Sequence, residues 1–182
     1  MLAASLCAGI KVQALTNSLR VSRKKIVLDY STLALNQKPN IMLKKTNLKE
    51  IASLFTEDLW DKGNLSIADD IFQQQFTDHD PVQGQGPGVE GYKEMIAAFK
   101  SAFLDLRVRN EDVIEDESQN KVVVRWTAQG THTGELMQIP ATGKKVSLKG
   151  VDILRVEDGK IVERWGEFDA LGMLAQLGVI QL

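Results

Sequence analysis

The chain has 182 residues, a formal net charge of −2, one cysteine and two histidines. This length suits one domain with an appended segment, and a single thiol excludes both an internal disulfide framework and a thiolate metal cluster. No apolar run reaches the roughly 18 residues of a membrane-spanning helix, so we predict no membrane partner.

Residues 1–41 differ in charge from the rest of the chain. Their one acidic residue, Asp29, stands against six basic ones: Lys11, Arg20, Arg23, Lys24, Lys25 and Lys38. Three interpretations remain open: a transit peptide, a stretch upstream of a natural start at Met42, or a strand or helix of the domain. Pro39-Asn40 is a break before a domain at 42–182. The expected location is cytoplasmic, or organellar if the segment is a transit peptide.

The remaining residues, 42–182, hold 16 basic and 23 acidic side chains of the totals of 22 and 24. An acidic domain repels the phosphate backbone of DNA and RNA. The charge balance therefore predicts no nucleic-acid partner.

The domain opens with three predicted helices. Asn47 followed by Glu50 is a capping pattern for the first, which ends at Gly63-Asn64. Ser66 is predicted to cap a short second helix that extends to Phe72. The third runs from about Pro87 to Leu104, and its core-facing stripe has six members at helical spacing: Val89, Tyr92, Met95, Ile96, Phe99 and Phe103.

From Leu106 onward the apolar spacing changes to alternation, which indicates strands. Four are predicted, at 106–116, 121–132, 145–157 and 160–168, and a short extended piece at 76–81 precedes them. Asp158-Gly159 predicts a two-residue hairpin turn, and a short helix over 170–177 closes the chain. Helices followed by consecutive antiparallel strands indicate an α+β fold.

The predicted turn at Asp158-Gly159 places Asp152 opposite Trp165. In that register one face carries Asp152, Trp165, Glu167 and, at its end, Asp169. A large aromatic side chain favours burial, so we expect this face to point inward. Burial raises the pKa of a carboxyl group, which suits acid–base chemistry near neutral pH. Acidic residues on a solvent-exposed face are the alternative.

Of the two faces of the predicted strand at 121–132, the one that carries Trp126 and His132 is the more apolar. We expect this face to point inward as well. A metal site built from His79, Asp80 and His132 is a further option. No metal-ligand spacing supports it, so we predict no metal.

Four parts of the sequence together resemble one known family. They are Leu59–Asn64, Phe76–Pro81, Gly130–Glu135 with Ile139–Gly143, and Asp158–Asp169. Their order and spacing resemble those found in the SnoaL-like polyketide cyclases, or ester cyclases, of the nuclear transport factor 2-like superfamily. The resemblance implies a cone-shaped α+β fold with about three helices packed on a strongly curved antiparallel sheet. It also implies a pocket inside the cone and a homodimer, for which Val151, Ile153 and Phe168 are predicted on the outer face.

The resemblance further implies an acid–base carboxylate near the end of the last strand, and ring closure by aldol chemistry without a cofactor. The residues that match are Asp169 and Glu167, with Asp152 and His132 as partners. The residues predicted to line the pocket or its rim are Trp126, Trp165, Phe99 and His79. Asp169 as the N-cap of the closing helix is an alternative to a catalytic role.

Two functional hypotheses follow. The first is a cofactor-independent cyclase, lyase or isomerase acting on a small apolar carbonyl compound. In it, Asp169 or Glu167 removes a proton, and Asp152 or His132 returns the proton or stabilises the enolate oxygen. The second is a non-catalytic domain of the same fold, which binds a hydrophobic ligand or serves in assembly.

Overall fold

The computed structural model describes residues 47–181, so the predictions for residues 1–41 lie outside the described residues. The helical elements are α1 (Leu48–Ser53), a π-helical run (Leu54–Asp61), a 3-10 turn (Leu65–Ile67), α2 (Ala68–Ile71), α3 (Gly88–Ala102) and α4 (Ala170–Leu177). The strands are β1 (Phe72–Asp78), β2 (Arg107–Asp116), β3 (Lys121–Thr131), β4 (Lys145–Glu157) and β5 (Lys160–Phe168). The α+β class is confirmed.

The first helices follow the sequence pattern only in part. The side chain of Asn47 accepts a hydrogen bond from the backbone N–H of Glu50 at 3.1 Å, which confirms the cap. The predicted cap at Ser66 is wrong, because its hydroxyl donates to the side chain of Asn64 at 2.7 Å. Phe72 already belongs to β1, since its apolar ring fits a buried strand position as well as a helical one.

The five strands form one sheet in the order β1-β5-β4-β3-β2. The three pairings among β2, β3, β4 and β5 are antiparallel, as predicted. The extended piece predicted at 76–81 begins and ends earlier than predicted, and as β1 it pairs in parallel with β5 at the edge of the sheet. Pro81 lies beyond the end of this strand, in keeping with its missing N–H.

The hairpin between β4 and β5 contains an extra residue just after its turn. Asp158-Gly159 forms the predicted turn, with φ of 49° and 78°. Val156 pairs with Ile161 as predicted, but the preceding residue of β4 pairs with Glu163. Val162 is therefore a β-bulge, with no residue directly opposite.

This bulge inverts which residues of β5 face the helices. Asp152 lies opposite Gly166 instead of Trp165. One extra residue moves all later side chains to the other face, because strands alternate with a period of two. Arg164 therefore shares the inner face with Asp152, whereas Trp165 and Glu167 lie on the outer face. The predicted face shared by Asp152, Trp165 and Glu167 is wrong.

The hydrophobic core lies between the helices and the inner face of the sheet. Tyr92 of α3 is fully buried there, and its ring centroid lies 5.5 Å from that of Phe72 and 5.6 Å from that of Phe76. Packing of the α3 stripe against the sheet is thus confirmed for Tyr92. Among residues 47–181, no helix has both the length and the apolar character needed to cross a membrane.

Candidate functional site

A cavity opens between the inner face of the sheet and the helices. The empty space within it, including the part open to solvent at its mouth, is about 690 Å³. Most of its wall is apolar and aromatic, from side chains that include Phe55, Trp60, Met95, Phe99, Trp126 and Phe168. Four residues with polar side chains also line it: Thr56, Asp80, Asp152 and Arg164.

Asp152 is the buried acid of this cavity, with 3 % of its surface exposed. One carboxylate oxygen accepts a hydrogen bond from Nε of Arg164 at 2.6 Å. The other accepts one from the indole N–H of Trp126, also at 2.6 Å. The three residues come from β4, β5 and β3, whose inner faces the pairing brings side by side.

Two glycines make room for this group. A Cβ on Gly150 would lie 2.2 Å from the indole ring of Trp126. A Cβ on Gly166 would lie 1.9 Å from the guanidinium of Arg164. Both distances are far below van der Waals contact. Glycine is therefore required at both strand positions if the indole and the guanidinium are to reach Asp152.

A second acid holds the other side of Arg164. Nη1 of Arg164 lies 2.9 Å and 3.1 Å from the two carboxylate oxygens of Asp78, at the end of β1. Asp78 also accepts a hydrogen bond from the side-chain amide of Gln85 at 2.9 Å. The guanidinium lies 5.2 Å from the ring centroid of Tyr92, a cation–π contact. Asp78 is as deeply buried as Asp152 in its side chain but lies outside the cavity wall.

Burial dominates the electrostatics of the site. It raises the pKa of Asp152, and the positive charge of Arg164 and the hydrogen bond from Trp126 oppose the rise. Burial also disfavours the charge of Arg164, but Tyr92, Asp152 and Asp78 outweigh this and hold its pKa above the usual range. Asp152 is therefore a carboxylate that is more basic than usual, beside a permanent cation.

Asp80 and Thr56 are cavity residues that the sequence-based site did not include. Asp80 is exposed at the mouth, and one of its oxygens accepts a hydrogen bond from the backbone N–H of Gly166 at 3.1 Å. Thr56 lies in the π-helical run, 1 % exposed. Asp80 stood in the sequence only as a candidate metal ligand beside His79. Nothing in the helical pattern distinguished Thr56 from a solvent-facing residue.

The structure places several predicted site residues elsewhere. Phe99 and Trp126 line the cavity as expected. Trp165 lies on the outer face, where its ring stacks on His79 with centroids 4.5 Å apart. His79 also lies 3.1 Å from the carboxylate of Glu163, away from the cavity wall. Phe168, predicted on the outer face, belongs to the cavity instead because of the bulge. Homodimer association through the outer face remains a prediction.

His132 is fully buried but does not meet Asp152. Its Nδ1 accepts a hydrogen bond from the backbone N–H of Thr142 at 3.3 Å, and its ring packs 5.2 Å from that of Phe103. Asp152 pairs with Val124, which lies about 26 Å along the strand direction from His132. His132 does not line the cavity either, so the expectation that it partners the catalytic carboxylate there does not hold. Within residues 47–181, no three His, Cys, Asp or Glu side chains cluster closely enough to hold a metal ion.

Asp169 caps α4, and neither it nor Glu167 lines the cavity. The Asp169 carboxylate accepts a hydrogen bond from the backbone N–H of Gly172 at 2.7 Å. We expect Asp169→Ala to lower the free energy of unfolding by about 1 kcal/mol through loss of this cap. Thermal unfolding and the rate of any turnover, measured on the same sample, test this. A normal melting temperature with lost turnover would instead make Asp169 a chemical group. Glu167→Gln, at an exposed position, is the control and should change neither.

Comparison with known proteins identifies the family to which this chain is similar. Residues 50–177 match the model of the SnoaL-like polyketide cyclase family. Aklanonic acid methyl ester cyclase DnrD of Streptomyces peucetius is 31% identical over 91 residues, which are 50% of this chain and 62% of DnrD. The chain thus matches less than two thirds of that relative. TsrD from Streptomyces laurentii is 27% identical, with a TM-score of 0.66 over 72% of this chain and 95% of TsrD. IdmH from Streptomyces antibioticus is 30% identical, with a TM-score of 0.60 over 71% of this chain and 96% of IdmH.

Proposed function

Because this chain belongs to the SnoaL-like polyketide cyclase family, we propose that it closes a ring in a small apolar carbonyl compound by carboxylate acid–base chemistry, without a cofactor. The observation that carries the proposal is the position of Asp152, a buried carboxylate on the wall of a mostly apolar cavity. A desolvated carboxylate is a stronger base than one in water, as abstraction of a proton beside a carbonyl group requires.

The reaction needs only groups that line the cavity. Asp152 takes a proton from the carbon next to one carbonyl group, which gives an enolate. The enolate carbon attacks a second carbonyl carbon of the same molecule, and a carbon–carbon bond forms. The oxygen of the attacked carbonyl then receives the proton back from Asp152. No atom leaves, so the product is an isomer of the substrate with the same mass.

Arg164 is the group that we assign to the enolate oxygen. Its Nε and Nη1 donate to Asp152 and Asp78, and among residues 47–181 no hydrogen bond engages its Nη2. A cation at the point where negative charge develops stabilises the enolate most strongly in a site that excludes water. Arg164 also favours the ionised form of Asp152, because its charge opposes the rise in the pKa of Asp152 that burial causes.

The experiment has two readouts. The first incubates the protein with aklanonic acid methyl ester, on which DnrD acts by its name, and separates an isomeric product of equal mass by chromatography. The second measures exchange of α-protons for deuterium in D₂O across a panel of apolar diketones, because exchange needs only the proton-removal step. We expect exchange above the protein-free rate for at least part of the panel. No exchange with any diketone and no consumption of the ester would contradict the proposal.

A non-catalytic binding role is the second candidate, and one observation favours it. Both carboxylate oxygens of Asp152 already accept a hydrogen bond, which is how a purely structural buried acid is satisfied. In this case the same diketones raise the melting temperature by mass action but undergo no exchange. Thermal shift and exchange on one panel therefore separate the two candidates.

A further inference from the structure

Thr56 has a polar side chain on the cavity wall that lacks a partner. The residue is 1 % exposed, and its Oγ1 makes no hydrogen bond to any of residues 47–181. Folded proteins pair nearly all buried hydroxyl groups, because a buried hydroxyl without a partner destabilises the folded state. The unpaired hydroxyl of Thr56 therefore points to a role other than stability.

The helix around Thr56 is unusual in the same place. A threonine within a helix commonly bonds the carbonyl oxygen one turn earlier, and Thr56 does not. It lies in the π-helical run, in which the backbone N–H of Lys62 donates to the carbonyl oxygen of Glu57, five residues earlier, at 3.0 Å. π-helical turns are rare in proteins, and those that occur are frequently found at functional sites.

Apart from Nη2 of Arg164, which is assigned to the enolate oxygen, the other polar side chains of the cavity already make hydrogen bonds. Asp152 accepts from Trp126 and Arg164, and Asp80 accepts from the backbone of Gly166. Most of the remaining wall is apolar. The hydroxyl of Thr56 is a further donor on this wall that no described residue uses. Because Oγ1 is itself buried, a ligand oxygen reaches it when the Thr56 side chain rotates towards the cavity.

We propose that Thr56 determines specificity by donating a hydrogen bond to a carbonyl oxygen of the bound molecule. Ring closure involves two carbonyl groups, and Arg164 is assigned to only one of them. Thr56 then serves the second. The proposal rests on the proposed function only in taking the ligand to be an apolar carbonyl compound, and it requires binding but no turnover.

The test compares two probes of nearly the same shape, 2-acetonaphthone and 2-isopropenylnaphthalene. The first carries a carbonyl oxygen where the second carries a CH₂ group. Their dissociation constants are measured with the wild-type protein, Thr56→Val and Thr56→Ser. Loss of one hydrogen bond should weaken binding of the ketone to Thr56→Val by about 3- to 10-fold. Binding of the alkene should change by less than about twofold. Thr56→Ser keeps the hydroxyl and should retain the preference for the ketone.

The ligand-free variants give a second readout. Thr56→Val removes a hydroxyl that bonds to no described residue, so its melting temperature should stay within about 1 °C of wild type or rise. A fall of about 3 °C or more would show that the hydroxyl is paired in the folded protein, and would overturn the proposal. Equal binding of the two probes by the wild-type protein, including no binding of either, would also overturn it. Absence of turnover alone contradicts only the proposed function.

Discussion

Replacing Asp152 with asparagine is expected to lower kcat for ring closure, or the rate of α-proton exchange, by roughly 10²- to 10⁴-fold. Asparagine keeps the shape of the side chain but cannot accept a proton at neutral pH. The measurement is the exchange rate of a responsive diketone, with folding checked by circular dichroism. The hydrogen bond from Trp126 can still be made to the asparagine oxygen, so the indole should stay in place.

Asp78→Asn is the matched control for this variant. The Asp78 and Asp152 side chains are equally buried, and both bond to Arg164, but only Asp152 lines the cavity. The two substitutions should therefore lower stability by similar amounts, while Asp78→Asn keeps most of the exchange rate. Equal loss of rate in both variants would mean that the charge of Arg164, and not the base at Asp152, governs the reaction.

The same assignment predicts a pH dependence. Asp152 acts as a base only when ionised, so the rate should rise with pH as this carboxyl loses its proton. Because burial raises the pKa of Asp152, this increase in rate should occur at a higher pH than it would for an exposed aspartate. The profile of kcat/KM against pH measures this. If the rate rose with the pKa of an ordinary, exposed aspartate, the result would contradict the effect of burial.

Arg164→Met is expected to be the most destabilising of these substitutions, at about 3–5 kcal/mol. It leaves the buried carboxylates of Asp152 and Asp78 without their cation, while methionine roughly fills the space of the aliphatic stem. Chemical denaturation gives the free energy of unfolding. Arg155→Met is the control, because Arg155 pairs with Glu163 and Glu157 at a more exposed position and should cost only about 0–1 kcal/mol.

The deficit of Arg164→Met should depend on pH. Without the guanidinium, nothing as strong opposes the effect of burial, so the folded-state pKa of Asp152 rises further above its unfolded value. A carboxyl group with a raised folded-state pKa stabilises the fold when protonated, and this stability is lost as pH rises through that pKa. The deficit should therefore shrink as pH is lowered from 7 towards 5. A deficit that is constant over this range would indicate that packing, and not charge, is what the substitution removes.

The sequence was sufficient for most of the fold. Alternation within β2 to β5, the Asp158-Gly159 turn and the Asn47 cap each depend on neighbouring residues, and each is confirmed. The parallel pairing of β1 with β5 was missed because it joins segments far apart in the chain. No local pattern specifies such a pairing.

The candidate site was harder to predict because one residue decides it. Val162 is an apolar residue that fits a regular strand, and nothing near it marks a bulge. Yet its insertion brings Arg164 to the cavity in place of Trp165, and Arg164 is the partner that Asp152 needs. Gly150 and Gly166 were the available signals, since a glycine inside a strand often marks a close approach by another group.

The most direct test of the site is α-proton exchange by two variants measured side by side, Asp152→Asn and the double variant Glu167→Gln/Asp169→Asn. Asparagine is also a good helix N-cap, so the double variant should fold normally. Of Asp152, Glu167 and Asp169, the bulged register places only Asp152 on the cavity wall. We predict that exchange is lost in Asp152→Asn and kept in the double variant. Exchange kept in Asp152→Asn and lost in the double variant would contradict the assignment of Asp152 as the base.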